Sequence, residues 1–170
     1  QRAIETAQEA LRVARTSRQL QREASSLFRL AQAQARQREH GLAAATAMLA
    51  VRLFRKLADP VGEGRSWWVL ASARNGQGRP ADAIAAAKKA MAIAERCGDV
   101  QGVGSAANIL TFNEPDLALC IQLLQKAGAA FAAAGYIRAQ AAVANNVGIV
   151  YLHLGLFGRA RRMLRQALDL

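Results

Sequence analysis

The chain repeats itself at an interval of 40 residues, and that interval limits the folds open to it. Ala3, Ala43 and Ala83 fall 40 apart, as do Ala7, Ala47 and Ala87, then Ala10, Ala50 and Ala90, and Leu30, Leu70 and Leu110. Leu30-Ala31 answers Leu70-Ala71, and Glu23 answers Glu63. Self-similarity at such a period marks stacked helical units, each burying one face against the next. Arrays of this kind present an extended surface and usually lack a catalytic cleft. The period therefore predicts a binding protein and not an enzyme.

Composition agrees with helices. The 170 residues include 39 alanines with many Leu, Gln, Arg and Glu. Alanine loses no side-chain entropy in a helix and the straight-chain residues lose little. Aromatic residues make up only 5%, so close packing of small residues must replace large aromatic plugs. No stretch approaches the ~20 consecutive apolar residues of a membrane span, and an all-α protein without a span is expected, in the cytoplasm. Cys97 and Cys120 are too few for a disulfide framework and lack metal-ligand spacing; both read as buried small hydrophobes. The sequence starts and stops inside amphipathic patterns and reads as a piece of a longer protein.

Short turn segments divide the pattern into nine predicted helices, over about 1–17, 20–38, 42–57, 62–75, 80–97, 100–112, 116–134, 137–154 and 157–170. In the first, Ile4, Ala7, Leu11 and Ala14 lie on one face at helical spacing. His40-Gly41 punctuates, Asp59-Pro60 ends the third helix because proline cannot continue one, and Asn75-Gly76-Gln77-Gly78 makes a left-handed turn. Asn113-Glu114-Pro115-Asp116 is the one conspicuous break. Loops of two to five residues force neighbouring helices antiparallel.

The last helix pair is the clearest unit: Asn146-Val147-Gly148-Ile149-Val150-Tyr151, then Gly155-Leu156-Phe157, Arg159-Ala160, Leu164 and Ala167-Leu168. It resembles a tetratricopeptide repeat, with Val147, Gly148 and Tyr151 at the large, small and aromatic positions of the first helix. Ala160, Leu164 and Ala167 match the second. The same register fits Trp67, Leu70 and Ala71 with Ala83, Ala87 and Ala90; Leu27, Leu30 and Ala31 with Ala43, Ala47 and Ala50; and Ala107, Leu110 and Thr111 with Cys120, Leu124 and Ala127. The resemblance covers the chain as a half repeat (1–18) and four repeats, about 19–59, 60–99, 100–136 and 137–170. It implies an α-solenoid of antiparallel pairs in a right-handed superhelix. The units are 40, 40 and 37 residues where the family's usual unit has 34, and long units of this kind resemble the arrays of large bacterial regulators. The shortened unit predicts a different bend at the Pro115 junction.

In this family the first helix of each unit lines a concave groove. Carried over, the groove residues are Ser25, Phe28, Gln32 and Arg36; Arg65, Trp68, Ser72 and Asn75; Ser105, Asn108 and Phe112; and Ala142, Asn145, Ile149 and His153. Phe28, Trp68, Asn108 and Asn145 are equivalent positions. The two aromatics would seat an extended peptide while the amides, which both donate and accept, pair with its backbone. Adjacent residues on a helix diverge by about 100°, so Trp67 is expected in the core and Trp68 on the groove. The family's carboxylate clamp needs Lys and Asn where Phe28 and Gln32 stand, so a chaperone-type acidic tail is not expected, although Arg36 and Arg65 suit an acidic segment.

Net charge is +11, distributed as +6 over residues 1–60, +1 over 61–136 and +4 over 137–170. This motivates an alternative function, a nucleic-acid-binding module using the basic ends, including Arg159, Arg161, Arg162 and Arg165. Another is a regulatory appendage to a catalytic domain elsewhere in the polypeptide, with an intramolecular partner. Gly102-Val103-Gly104-Ser105-Ala106-Ala107 fits a loose dinucleotide fingerprint, but no strand precedes it. His40 reads as a helix-end residue, and no cofactor or metal is expected.

Overall fold

The structure, a computed structural model, describes residues 2–112 and 114–170. Gln1, placed above in the first helix, and Asn113, placed in the Pro115 break, lie outside the described residues. Among the described residues the chain forms α-helices and no strand: α1 (Arg2–Thr16), α2 (Leu20–Arg36), α3 (His40–Lys56), α4 (Pro60–Gly76), α5 (Pro80–Cys97), α6 (Val100–Thr111), α7 (Leu117–Ala133), α8 (Ile137–His153) and α9 (Phe157–Asp169). Each helix packs on the next, and beyond these sequential pairs α2 packs on α4 and α4 on α6. That is the layout of a solenoid in which α2, α4 and α6 share one wall.

The joints follow a single recipe. Arg18, Arg38, Ala58, Gly78, Gly98, Gly135 and Gly155 all have φ between 52° and 70°. At each, the next residue's N–H turns back to a carbonyl five positions earlier, as in Gln19 to Ala14 (2.9 Å), Asp59 to Phe54 (3.0 Å) and Tyr136 to Phe131 (2.9 Å). This Schellman geometry satisfies carbonyls that the helix end would leave unpaired. The left-handed residue recurs every 20 positions from 18 to 98, so the elementary unit is one helix plus one turn. Aspartates cap the starts of α4 and α7: Asp59 accepts from Gly62 N at 2.8 Å, and Asp116 from Ala118 N at 2.8 Å and Leu119 N at 3.3 Å.

Three helix boundaries differ from the sequence reading. His40 and Gly41 lie in the first turn of α3, not between helices. Asp59-Pro60 starts α4 instead of ending α3, because proline lacks the N–H that a first helical turn does not use, and α3 closes on Ala58. Asn75 and Gly76 belong to α4; the left-handed residue of that turn is Gly78. Around Pro115, α6 ends at Thr111, so it has 12 residues where α2 and α4 have 17.

Alanines carry the core. Ala43, Ala47 and Ala50 of α3 and Ala83, Ala87 and Ala90 of α5 are at most 1% exposed. They let the paired helices approach closely while Leu27, Leu30, Val51, Trp67 and Leu70 fill the spaces beside them. Glycines permit the closest contacts. A Cβ on Gly62 would stand 2.3 Å from Phe54 Cδ1, and one on Gly104 2.9 Å from Phe131 Cε1. Gly102 and Gly104 thus lie inside a helix, where the former meets Ala94 and Asp99 and the latter a phenyl ring.

Candidate functional site

Residues of α2, α4 and α6 enclose a cleft of about 580 Å³ on the shared wall. Phe28, Gln32 and Arg36 face Arg65 and Trp68 across it, with Ser25 and Ser105 at its ends. A second hollow of about 300 Å³ continues from Gln32, Arg36 and Trp68 to Ser72. Phe28 and Trp68 are half-buried: one side of each ring packs on the core and the other lines the cleft. Trp67, one residue earlier, is 8% exposed. Its Nε1 donates to Glu63 Oε1 at 3.3 Å, and Lys89 Nζ lies 4.6 Å from its ring centroid. The Trp67-Trp68 pair thus divides between core and cleft.

The floor of the cleft is a chain of polar contacts. Gln21 Nε2 donates to Asp59 Oδ2 at 3.2 Å, tying α2 to the cap of α4. Arg65 donates from Nε and Nη2 to the two carboxylate oxygens of Asp99 at 2.8 and 2.9 Å, tying α4 to the start of α6. The Arg65 guanidinium holds the Asp99 carboxyl below the usual carboxylate range, against an opposing push from burial. The Arg65 charge is therefore neutralised within the wall. Among the described residues Arg29 and Arg36 form no ion pair, and they place positive charge at the α2 side of the cleft.

The remaining sequence-derived groove residues lie elsewhere. Asn75 is half-buried in the last turn of α4. Asn108 is half-buried in α6, and its Oδ1 accepts from Asn146 Nδ2 of α8 at 2.9 Å. Its carbonyl is thus already engaged, whereas Asn145 beside that donor is exposed. Phe112 follows the end of α6 and is 52% exposed; Ile149 and His153 are exposed on α8. None of these residues lines the cleft; those on α8 stand apart from it because α8 does not pack on α6 as α6 packs on α4.

Two features escaped sequence reasoning. The Arg65–Asp99 and Asn108–Asn146 contacts span 34 and 38 residues, and nothing local in the sequence pairs them. By contrast, Arg15–Glu23 (2.9 Å) and Arg55–Glu63 (2.7 Å) are one bridge repeated 40 residues on, visible had the arginines been matched along with the glutamates. Cys120 is buried, and its thiol donates weakly to the carbonyls of Thr111 (3.6 Å) and Glu114 (3.4 Å). Burial first, then Glu114 and Asp116, push that thiol up from its ordinary pKa, which suits a packing role. Among the described residues no three His, Cys, Asp or Glu side chains gather to hold a metal ion, and no helix is long and apolar enough to cross a membrane.

No family model matches the chain, and no curated protein matches it in sequence. Solved structures do match. The chain superimposes over 99% of its length on the apo form of RapI, with a TM-score of 0.80, 17% identity and 60% of that chain covered. The same length superimposes on BtubC (BKLC) from P. vanneervenii, with a TM-score of 0.80, 20% identity and 72% of that chain covered. A putative kinesin light chain of nearly identical TPR-like repeats from Podospora anserina matches over 98%, at 0.64 and 16% identity, with 84% of it covered. This is a tetratricopeptide-like solenoid fold. Within that fold the cleft is built by α2, α4 and α6. The chain spans 60% of the RapI chain.

Proposed function

We propose that this tetratricopeptide-like array is a protein-interaction module that holds an extended peptide segment along α2, α4 and α6. The observation that carries the reading is the placement of Phe28 and Trp68 at equivalent positions, each half-buried and lining one cleft. Aromatic rings fixed on one side and wetted on the other bring large apolar area to a partner at little entropic cost. Gln32, Ser72 and Ser105 supply neutral donors and acceptors for a peptide backbone. Arg29 and Arg36 favour acidic side chains at the α2 end and speed encounter. No nucleophile, base or cofactor cradle is required by this reading.

Selection of peptides from a displayed random library, followed by affinity measurement on single-site variants, tests it. Trp68→Ala is expected to weaken selected peptides by tenfold or more, equivalent to about 1.4 kcal/mol or above, with Phe28→Ala acting in the same direction. Far-UV circular dichroism and the melting temperature of each variant guard against unfolding. Peptides whose affinity ignores both substitutions would remove the cleft as the binding site.

A further inference from the structure

The junction of α4 with α6 carries a charge pair that the junction of α2 with α4 does without. Asp59 and Asp99 fall 40 residues apart and occupy the N-cap positions of α4 and α6. The residues that could meet them from the neighbouring helix, Ser25 on α2 and Arg65 on α4, fall 40 apart as well. Serine cannot form an ion pair, and Asp59 accepts instead from Gln21 Nε2 and from Gly62 N. Because α2 and α4 pack without such a pair, the bond from Arg65 to Asp99 is not what lets these helices stack. Ser105 continues the row on α6, so Arg65 is the charged member of a Ser-Arg-Ser series that lines the cleft.

The pair is built to stay closed. The Asp99 side chain is 6% exposed and that of Arg65 is 38% exposed. Arg65 favours the charged form of Asp99 most, and the N–H groups of Gly102 and Gln101 in the first turn of α6 add to it. The bonds to Asp99 push the Arg65 pKa up, burial pushes the other way, and the charges of Tyr136 and Asp59 act with Asp99. A ligand carboxylate that drew Arg65 away would strand a buried carboxylate, and breaking a buried pair costs far more than the pair contributes. One that came in beside the closed pair would meet a single cation and the two carboxylates of Asp59 and Asp99. A backbone carbonyl has no net charge to repel. The guanidinium has five N–H donors, and Asp99 accepts from Nε and Nη2, which leaves donors for a carbonyl.

We infer, resting on the reading that the cleft holds an extended peptide, that Asp99 is a positioning residue for its specificity. By fixing Arg65 and cancelling its charge, it makes the middle of the cleft accept a peptide that is uncharged where it crosses α4 and refuse one with a carboxylate there. Arg65 then donates to a backbone carbonyl and does not act as an acid receptor, which inverts the role that the sequence alone suggests for it. Acidic side chains drawn by Arg29 and Arg36 belong one helix away, on α2.

The probe is a Trp68-dependent peptide from the displayed library, labelled with fluorescein and remade with each position in turn as Gln or as Glu, so that the two versions differ by one charge. Fluorescence anisotropy on the parent chain is expected to find a position at which the Gln version binds about fivefold or more tightly than the Glu version. Asparagine suits a helix N-cap and still accepts from Arg65 without the charge. Asp99→Asn should therefore shift the Glu-to-Gln affinity ratio at that position by about tenfold or more towards Glu. Arg65→Gln uncovers Asp99 and should shift the ratio further towards Gln; it decides the matter alone if Asp99→Asn does not fold. A merely structural contact would weaken both versions alike and leave the ratio unmoved. A parent chain with no such position, or a ratio that neither substitution moves, would overturn the inference while leaving Trp68-dependent binding intact. A library that yields no Trp68-dependent peptide would remove the cleft reading, and this inference with it.

Discussion

At Ala58 the backbone adopts φ 53° with a side chain present, as it does at Arg18 and Arg38, whereas glycine serves at Gly78, Gly98, Gly135 and Gly155. A Cβ in the left-handed region crowds the following carbonyl and costs about 1 kcal/mol. Ala58→Gly is therefore expected to raise stability by roughly 0.5–1 kcal/mol, read as a higher urea midpoint at unchanged slope; a lower midpoint would mean that the turn is not strained. The Arg65–Asp99 pair sets a pH dependence of the opposite kind to a histidine's. Its carboxyl pKa is depressed in the folded chain, so the stabilisation is whole above about pH 4, the ordinary carboxylate value, and fades as pH falls through the depressed value. Arg65 keeps contact with water, which limits the worth of the pair to about 1 kcal/mol. Asp99→Asn should melt below the parent chain at pH 7, and the gap should close on acidification. A gap that stays constant as the solution is acidified well below the ordinary carboxylate range would detach the stabilisation from this carboxylate.

Helix against helix, the question is where a glycine is needed and where it is only tolerated. Alanine in a helix interior is favoured over glycine by about 1 kcal/mol. Gly158, in the first turn of α9, has open space around it, so Gly158→Ala should stabilise by a fraction of that amount. Gly62 lies on Phe54, where an added Cβ would stand 2.3 Å away; overpacking of this kind costs about 1–3 kcal/mol and outweighs the propensity gain. Thermal melts of the two variants should shift in opposite directions, and a stabilised Gly62→Ala would show that Phe54 swings aside freely. The elements themselves were largely legible in the sequence, because the alanine period marks the buried stripe of each helix and its phase. The turns were not all legible: Arg18, Arg38 and Ala58 carry no left-handed preference, and Asp59-Pro60 suits the end of one helix as well as the start of the next. The candidate site was half legible. The repeat register placed Phe28, Gln32, Arg36, Arg65 and Trp68 on one wall, yet it could not show that Asp99 takes the charge of Arg65 or that Asn146 takes the carbonyl of Asn108. Both contacts depend on how units stack, which a period does not specify.

Across the whole molecule, burial is uneven. The cluster joining α2 to α6 contains Val51, Trp67, Leu70 and a row of alanines, while α9 buries only Ala160. A solenoid is stabilised by its units and their nearest-neighbour interfaces, so it opens from its weak end and not as one cooperative block. Hydrogen exchange followed by mass spectrometry should find the slowest amides in α3, α4 and α5 and the fastest helical amides in α8 and α9, with separate kinetics for the two regions. Uniform protection from α2 to α9 would contradict this. The Asn108–Asn146 bond bears on the same division. Between α6 and α8 a pair of amides stands where α2 and α4, and α4 and α6, have packed helix faces. In mechanical terms the array is a stiff spring with one compliant coil. A load applied at α9 is expected to be absorbed at that coil, leaving the curvature of the wall that carries Phe28 and Trp68 unchanged.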